Sequence, residues 1–346
     1  MIDSREKHII RFLQKIGVSS SKEIFDAIEL PISYATLKRL LTKLVSLNYI
    51  AIEGKGRGTK YLISPTYQVI QPIDIDKYYE KEIDERKIKE GFNFEIINDT
   101  LASYSVFTES EMQKLTRLQN IFQRNISNLS VKEYRREFER LAIDLSWKSA
   151  QIEGNTYSLL ETERLLKEKE TASGRTKEEA VMLLNHKDAL DFIIETPNYL
   201  NTITVAKIED IHSLLVKELD VERNLRKRRV GISGTNYKPL DNQFQISEAL
   251  KNTCDLINNK TNVFEKALMG LVLISYIQPF MDGNKRTARI VSNAILINEN
   301  HCPLSFRTVD SIDYKKAMLL FYEQNNISSF KEIFISQFEF AVNTYF

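Results

Sequence analysis

Cysteine, histidine and long apolar runs are all scarce in this sequence of 346 residues. The two cysteines, Cys254 and Cys302, are too few for a disulfide framework, and their spacing matches no CxxC zinc motif. The longest apolar run, Ala267–Ile277, is shorter than the roughly 20 residues that a membrane-spanning helix needs. Charges begin at the third residue, which is untypical of a signal peptide. These shortages predict a reducing, cytoplasmic setting and no membrane partner.

Net charge is also small, at +1, so the chain as a whole has no strong attraction for polyanions. The charge is unevenly distributed, however. Residues 1–70 contain 11 Lys and Arg against 6 Asp and Glu, and the remainder is mildly acidic. A basic N-terminal part on an acidic body indicates a nucleic-acid contact at that end.

The first 65 residues contain three amphipathic segments followed by two alternating ones. Apolar residues recur at helical spacing over 5–16, 22–30 and 34–47, with serines ahead of the second and third segments as N-caps. Residues 49–52 and 60–63 alternate like strands around a basic, glycine-rich turn. Three helices followed by a basic hairpin is the order of a winged helix-turn-helix domain.

We assign this winged-helix domain to residues 1–70. Its third helix and wing would contact DNA through five cations: Lys38, Arg39, Lys43, Lys55 and Arg57. Domains of this architecture can instead mediate dimerisation. The sequence leaves both roles open, a homodimer included.

Periodicity fades over residues 71–108, which we interpret as a connecting segment. From residue 109 onward the pattern is helical almost throughout. Ten helices are predicted there, over 109–125, 131–151, 159–169, 176–196, 205–219, 247–258, 263–276, 285–298, 312–323 and 329–346. The stretch Arg229–Leu240 contains two glycines and a proline and predicts a small β-hairpin. The expected fold class is mainly α.

The strongest chemical signal is the segment Gln278–Arg289, QPFMDGNKRTAR, which connects a very apolar helix to the start of another. A helix N-terminus favours anions, because its first N–H groups are unpaired and its dipole end is positive. Gly283 lets the backbone approach such an anion. Arg286 and Arg289 lie three residues apart, so both guanidinium groups can bind phosphate from one helix face. The segment predicts a nucleotide-phosphate site.

Three further side chains belong to this predicted site. Asp282 is a hard oxygen ligand placed for a Mg²⁺ ion that bridges phosphates. Asn284 can fix the turn or donate its amide, and Lys285 adds a cation at the helix start. A lone GNKR would also fit an exposed helix end with solvated cations, but the pattern of the whole segment favours the phosphate site.

The same segment resembles the signature of the Fic (Fido) family, HPFxxGNGRxxR. The matching residues are Pro279, Phe280, Gly283, Asn284, Arg286 and Arg289, with Asp282 at the acidic metal-ligand position. The similarity extends over about residues 109–340, so we assign residues 109–346 to a Fic domain with C-terminal helices. The resemblance implies an all-helical core with a small β-hairpin flap, and a winged helix ahead of a Fic domain is a familiar arrangement.

The resemblance also implies a function. Fic proteins use ATP with Mg²⁺ and transfer AMP to a Ser, Thr or Tyr hydroxyl of a target protein, a reaction called AMPylation. SAQIEGN resembles the inhibitory-helix motif [ST]xxxE[GN] through Ser149, Glu153 and Gly154. In the family this glutamate pairs with the second motif arginine, here Arg289. The flap, which lays a target segment beside the active site, resembles GTNYKPL and includes Gly234, Tyr237 and Pro239.

Two departures from the signature bear on catalysis at Gln278, Asn284 and Arg286. Gln278 stands in place of the family's histidine, and a carboxamide cannot accept the proton of an attacking hydroxyl. Lys285 replaces the second glycine, as in death-on-curing toxins, which transfer phosphate. His186 and His212 are predicted within helices, so neither is expected to replace the missing base.

The leading hypothesis is a Fic adenylyltransferase that binds ATP or ADP and is impaired by Gln278. The alternative is a non-enzymatic winged-helix transcriptional regulator, in which the Fic domain senses nucleotide or serves for dimerisation. A phosphotransferase is a third hypothesis, which depends on Lys285 alone.

Overall fold

The structure, a computed structural model, describes residues 3–28, 30–196 and 198–346. Its N-terminal part contains α1 (Ser4–Ile16), α2 (Ser21–Ala27), α3 (Tyr34–Ser46), β1 (Ser19–Ser20), β2 (Ile50–Glu53) and β3 (Lys60–Ile63). The strands form one antiparallel sheet in the order β1-β3-β2, with Ile50 opposite Ile63 and Ser19 opposite Tyr61. The predicted segments therefore correspond to helices and strands, although the second helix ends at Ala27 rather than at residue 30.

Side-chain caps explain where these three helices begin. The side chains of Asp3, Ser20 and Ser33 each accept a hydrogen bond from the backbone N–H three residues later, which satisfies a donor that the helix itself leaves unpaired. The apolar faces of the helices then pack on the sheet. Ile9 and Leu41 are fully buried in this small core.

The segment that follows runs along the surface of the helical body. It contains α4 (Tyr67–Ile70), α5 (Ile75–Tyr79), a 3₁₀ turn at Ile83–Glu85, a π-helical turn at Ile96–Thr100 and α6 (Leu101–Ser103). Some of its apolar side chains are buried, among them Ile97 and Leu101 at 1% exposure. The Tyr78 hydroxyl donates to the buried carboxylate of Glu323 at 2.7 Å. The segment is thus attached to the body by both apolar and polar contacts.

Among the described residues, ten helices form the body: α7 (Glu109–Ser127), α8 (Val131–Ile152), α9 (Leu159–Glu168), α10 (Lys177–Glu195), α11 (Val205–Leu215), α12 (Gln243–Asn259), α13 (Val263–Ile277), α14 (Asn284–Asn298), α15 (Ser311–Gln324) and α16 (Ser328–Tyr345). The apolar helix α13 lies at the centre, buried almost along its whole length. It packs against α14 and α12. Within the described ranges, no helix is both long and apolar enough to cross a membrane.

The hairpin predicted over Arg229–Leu240 is wrong. This stretch contains no strand and is irregular, with a turn at Ser233–Gly234. Its backbone groups find partners elsewhere in the molecule: the carbonyl of Leu240 accepts from the Arg226 guanidinium, and the Lys238 N–H donates to the carbonyl of Glu90 at 2.8 Å. The segment therefore has no need of a hairpin ladder to satisfy these groups.

Candidate functional site

The loop between α13 and α14 is shaped by two residues with left-handed backbone conformations. Gln278 ends α13 with φ 52° and ψ 58°, and its N–H still donates to the carbonyl of Ile274. Gly283 begins α14 with φ 79°, a value that favours glycine. A Cβ on Gly283 would lie 3.4 Å from the His212 ring. The glycine thus allows the left-handed turn and leaves room for the neighbouring His212 ring.

Asn284 fixes the loop through its carboxamide. Its Oδ1 accepts from the Phe280 N–H at 2.8 Å, and its Nδ2 donates to the Phe280 carbonyl at 2.8 Å. The same Nδ2 donates to Oε1 of Gln278 at 3.1 Å. The Phe280 ring is fully buried and stacks on His212, with ring centroids 3.7 Å apart. Asn284 is therefore engaged in holding the turn.

The Gln278 side chain is directed into the protein. Its Nε2 donates to the carbonyl of Ser275 at 2.6 Å and lies 3.4 Å from the Tyr322 hydroxyl. Only 9% of the residue is exposed. Both ends of the carboxamide thus have partners, and the group offers no nitrogen that could accept a proton.

Buried guanidinium groups lie at the start of α14. Arg286 is 2% exposed, and its Nη2 donates to the exposed carboxylate of Asp282 at 2.9 Å. Within the described parts of the chain, Nε and Nη1 of Arg286 and Nη1 of Arg289 have no hydrogen-bond partner. No side chain caps α14 either. Buried donors without acceptors are costly, so this arrangement favours an anionic ligand.

Arg289 is bound by the end of α8. Its Nε donates to Oγ of Ser149 at 2.9 Å, and its Nη2 donates to Oε1 of Glu153 at 2.8 Å. The guanidinium also lies over the Tyr314 ring, 5.3 Å from its centroid. Gly154, with φ 101°, follows Glu153 and ends the helix there. Ser149 and Glu153, 140 and 136 residues before Arg289, therefore contact it together.

Glu153 is ionised in this setting. Burial alone would raise the pKa of its carboxyl, but Arg289 and, after it, Lys285 outweigh this effect and lower the pKa to about 2. Nζ of Lys285 lies 3.4 Å from Oε2. Glu153 also lines a cavity of about 210 Å³ that lies beside the loop, together with Ser233, Lys285, Lys315 and Tyr322.

Two histidines lie nearer the loop than the sequence indicated. His212, on α11, has Nδ1 3.0 Å from the carbonyl of Arg223 and Nε2 3.0 Å from the carbonyl of Asp282. His186 is fully buried with Nδ1 3.2 Å from Oγ of Ser146. Burial lowers the pKa of both imidazoles. His212 contacts the loop at the Asp282 carbonyl and a neighbouring segment at the Arg223 carbonyl, so each ring nitrogen faces a backbone oxygen and the neutral imidazole can donate to one of the two. His212 is therefore placed to support the loop rather than to act as a base.

Arg226 is a second supporting residue that the sequence analysis missed. It is fully buried, and its Nε donates to the Gln278 carbonyl at 2.6 Å. Its other nitrogens donate to the carbonyls of Arg228 and Leu240. Arg226 therefore connects the residue before the stretch Arg229–Leu240, and the last residue of that stretch, to the loop. A buried arginine has no distinctive sequence signal in a region with several basic residues.

The residues assigned to the flap have mixed environments. Tyr237 is buried, stacks on Tyr276 with centroids 5.1 Å apart, and donates its hydroxyl to the Tyr276 carbonyl at 3.3 Å. Gly234 is exposed with φ 86°, and its carbonyl accepts from Arg86 at 2.9 Å. Pro239 is half-buried. This segment passes beside the cavity that Glu153 lines, because Ser233 belongs to both.

The basic residues of the N-terminal part lie on its surface. Lys38, Arg39 and Lys55 are exposed. Lys43 is exposed too, but its Nζ lies 2.6 Å from Oε1 of Glu6. The side chain of Arg57 lies outside the described part of the chain. Among the described residues, no group of three or more His, Cys, Asp or Glu is arranged to hold a metal ion.

Comparison with known families gives a match for the central helices. Residues 202–296, which include Arg226, the flap segment and the loop, match the family model described as Fic/DOC family. This part of the chain is therefore similar to the Fic family. It is 26% identical over 183 residues to protein adenylyltransferase Fic of Nematostella vectensis, and 27% identical over 185 residues to its namesake from Aedes aegypti. These matches cover 49% and 51% of the chain but only 40% and 36% of the relatives, so the chain spans well under two thirds of their length.

Solved structures support the same fold. A fragment of Fic-1 from C. elegans matches with a TM-score of 0.61 and 20% identity, over 68% of this chain and 72% of that one. A Fic family protein from Desulfovibrio desulfuricans matches with a TM-score of 0.57 and 19% identity, over 69% and 74% of the two chains. The helical body therefore shares the Fic fold. The helix end that carries Glu153 lies outside the residues matched by the family model.

Proposed function

We propose that this chain is a Fic-type protein that binds ATP or ADP at the start of α14. Transfer of AMP to a Ser, Thr or Tyr hydroxyl of a target protein is the activity of its family, and Gln278 impairs that activity here. The observation that carries the nucleotide site is the set of buried guanidinium nitrogens of Arg286 and Arg289 without a partner among the described residues. Phosphate oxygens would satisfy them.

The donor set also suits Mg²⁺ bound together with phosphates. Mg²⁺ in nucleotide sites uses one or two carboxylates, with phosphates and water completing its shell. The Asp282 carboxylate is 65% exposed at the edge of the loop and would be that ligand. The ion would neutralise phosphate charge during transfer. Mg²⁺ at Asp282 would compete with the Arg286 guanidinium, which lies 2.9 Å from the same carboxylate.

The proposed impairment comes from the chemistry of Gln278. If Gln278 occupies the position of the family's base, the attacking hydroxyl has no acceptor for its proton. The carboxamide is bound by Asn284 and the Ser275 carbonyl, so it serves the loop rather than the substrate. Nucleotide binding does not depend on this group, because the phosphate-binding donors belong to α14. The protein would therefore keep its affinity for nucleotide but transfer AMP slowly.

Replacing Arg286 by alanine should weaken ATP·Mg²⁺ binding about 10- to 100-fold, since charge-assisted hydrogen bonds to phosphate are lost. Isothermal titration calorimetry measures the affinity, and thermal melting checks that the variant is folded. Arg228→Ala is the matched control, because Arg228 is 74% exposed and pairs with Glu222 at the surface. If a folded Arg286→Ala variant binds ATP as tightly as the Arg228→Ala control does, the proposed phosphate site is wrong.

A second function is proposed for residues 1–70: a winged helix-turn-helix domain that binds DNA, which would make the chain a nucleotide-sensing regulator in a cytoplasmic setting. The exposed Lys38 and Arg39 on α3 and Lys55 beside the hairpin turn favour it. Lys43 is a weaker candidate than expected, because it is paired with Glu6. The rival role for this part is dimerisation, in which the same face would be buried between two copies.

DNA affinity of the full chain should fall steeply with salt, because phosphate contacts release counterions. A fluorescent duplex titrated at several salt concentrations measures this. Lys55→Ala should weaken binding to all duplexes alike, whereas Arg39→Ala should also relax any sequence preference. Lys207→Ala, a cation on α11 in the body, is the control. Absence of binding at low salt, together with a dimer in sedimentation, would assign this part to dimerisation instead.

A further inference from the structure

Glu153 is bound by two cations, one on each carboxylate oxygen. Oε1 accepts from Nη2 of Arg289 at 2.8 Å, and Oε2 lies 3.4 Å from Nζ of Lys285. The two cations differ in freedom. Arg289 is fully buried and fixed by Ser149, whereas the side chain of Lys285 is 23% exposed on the first turn of α14. Lys285 is therefore the partner that can reorient.

The surroundings of Lys285 determine what it can bind instead. It lines the cavity of about 210 Å³ together with Glu153, Ser233 and Lys315. Nη1 of Arg289 and two nitrogens of Arg286 are buried nearby without partners in the described residues. If Glu153 moved away, Lys285 and Arg289 would both lose their carboxylate, and the start of α14 would present an excess of positive charge.

We propose that Lys285 sets the preference of this site between nucleoside triphosphates and diphosphates, in a direction that depends on Glu153. While Glu153 is present, Lys285 helps to hold it over the phosphate-binding arginines and so disfavours the extra phosphate of ATP. Once Glu153 is displaced, the same ammonium group binds that phosphate. This inference rests on the proposed nucleotide site.

The physical reason is that Lys285 would exchange one anionic partner, the Glu153 carboxylate, for another, the terminal phosphate of ATP. A lysine paired with a carboxylate stabilises the arrangement that excludes a competing anion. The same lysine without the carboxylate attracts that anion, and its attraction grows with the ligand's charge. ATP carries one more phosphate than ADP, so the effect should be larger for ATP. The sign of the Lys285 contribution to ATP binding should therefore reverse when Glu153 is removed.

A double-mutant cycle tests this reversal. The affinities of ATP·Mg²⁺ and ADP·Mg²⁺ are measured by calorimetry for the full chain, Lys285→Ala, Glu153→Ala and the double variant. In the presence of Glu153, Lys285→Ala should raise the ATP-over-ADP preference about 2- to 5-fold, as expected for loss of one partly exposed ion pair. In the Glu153→Ala background, the same change should lower that preference about tenfold.

Lys315→Ala is the matched control, because Lys315 lines the same cavity without a contact to Glu153 among the described residues. Its effect should have the same sign in both backgrounds. If Lys285→Ala also acts in one direction in both backgrounds while ADP binding persists, the proposal is wrong but the nucleotide site stands. If ADP binds none of the folded variants, the proposed function fails as well.

Discussion

Gln278→His should raise AMP transfer by about 10²- to 10⁴-fold, most visibly as modification of the protein by itself. The substitution supplies a group whose pKa is near neutrality, where a carboxamide has none. The backbone should accept it, since histidine is among the residues that occur at positive φ, and Gln278 has φ 52°. Two contacts that fix the loop, from the Phe280 N–H to Asn284 and from Arg226 to the Gln278 carbonyl, do not involve the side chain at 278. The bond from Asn284 to the Gln278 carboxamide would be lost.

The measurement uses ATP labelled in the α- or the γ-phosphate, with Glu153→Ala added so that the carboxylate does not obstruct the arginines. Gln278→Asn is the matched control, because it keeps an amide and adds no base. Incorporation of α-label in the histidine variant alone supports AMP transfer. Incorporation of γ-label would instead favour the phosphotransferase hypothesis. No incorporation of either label would mean that the loop binds nucleotide in an unproductive way, or not at all.

Arg226→Met should lower the free energy of unfolding by about 3 kcal/mol or more. The substitution keeps a long apolar stem but leaves the carbonyls of Gln278, Arg228 and Leu240 without their donor. Each buried acceptor left unsatisfied costs about 1–3 kcal/mol. The free energy of unfolding of Arg226→Lys should lie between those of the unchanged protein and Arg226→Met. An ammonium group has three donors but cannot reproduce the planar arrangement of donors in a guanidinium.

Urea denaturation followed by circular dichroism gives these free energies. The control, Arg228→Met, removes a surface arginine and should change stability by less than about 0.5 kcal/mol. A loss below about 1 kcal/mol for Arg226→Met would show that water replaces the guanidinium. The buried connection between the flap segment and the loop would then have little energetic importance.

Local features of the fold could be predicted from the sequence. Serine and threonine caps such as Ser20 and Thr108 lie next to the helices that they begin, so their effect needs only neighbouring residues. The loop that we predict to bind phosphate could be proposed for the same reason, since its residues lie within one short segment. Contacts between residues that are distant in the sequence could not be predicted in this way. The pairing of Glu153 with Arg289 was expected only because of a family resemblance.

The remaining features depend on tertiary packing. His212 and Asp282 are 70 residues apart, and nothing in either segment indicates that an imidazole would contact the loop carbonyl. Arg226 reaches the Gln278 carbonyl across 52 residues. The stretch Arg229–Leu240 has the glycines and proline of a hairpin, yet its Leu240 carbonyl accepts from Arg226 and its Lys238 N–H donates to Glu90. Competition of this kind between distant partners cannot be read from composition.

Some residues of the candidate site are needed for folding as well, which affects how such a protein can evolve. Phe280, Asn284 and Arg226 are buried members of the core as well as parts of the site. Mutations at these positions would reduce the supply of folded protein, so selection for folding alone would retain them. Position 278 is different, because glutamine satisfies its own polar atoms there. If the proposed function holds, an exchange between histidine and glutamine at this position would change AMP transfer without altering the residues proposed to bind nucleotide.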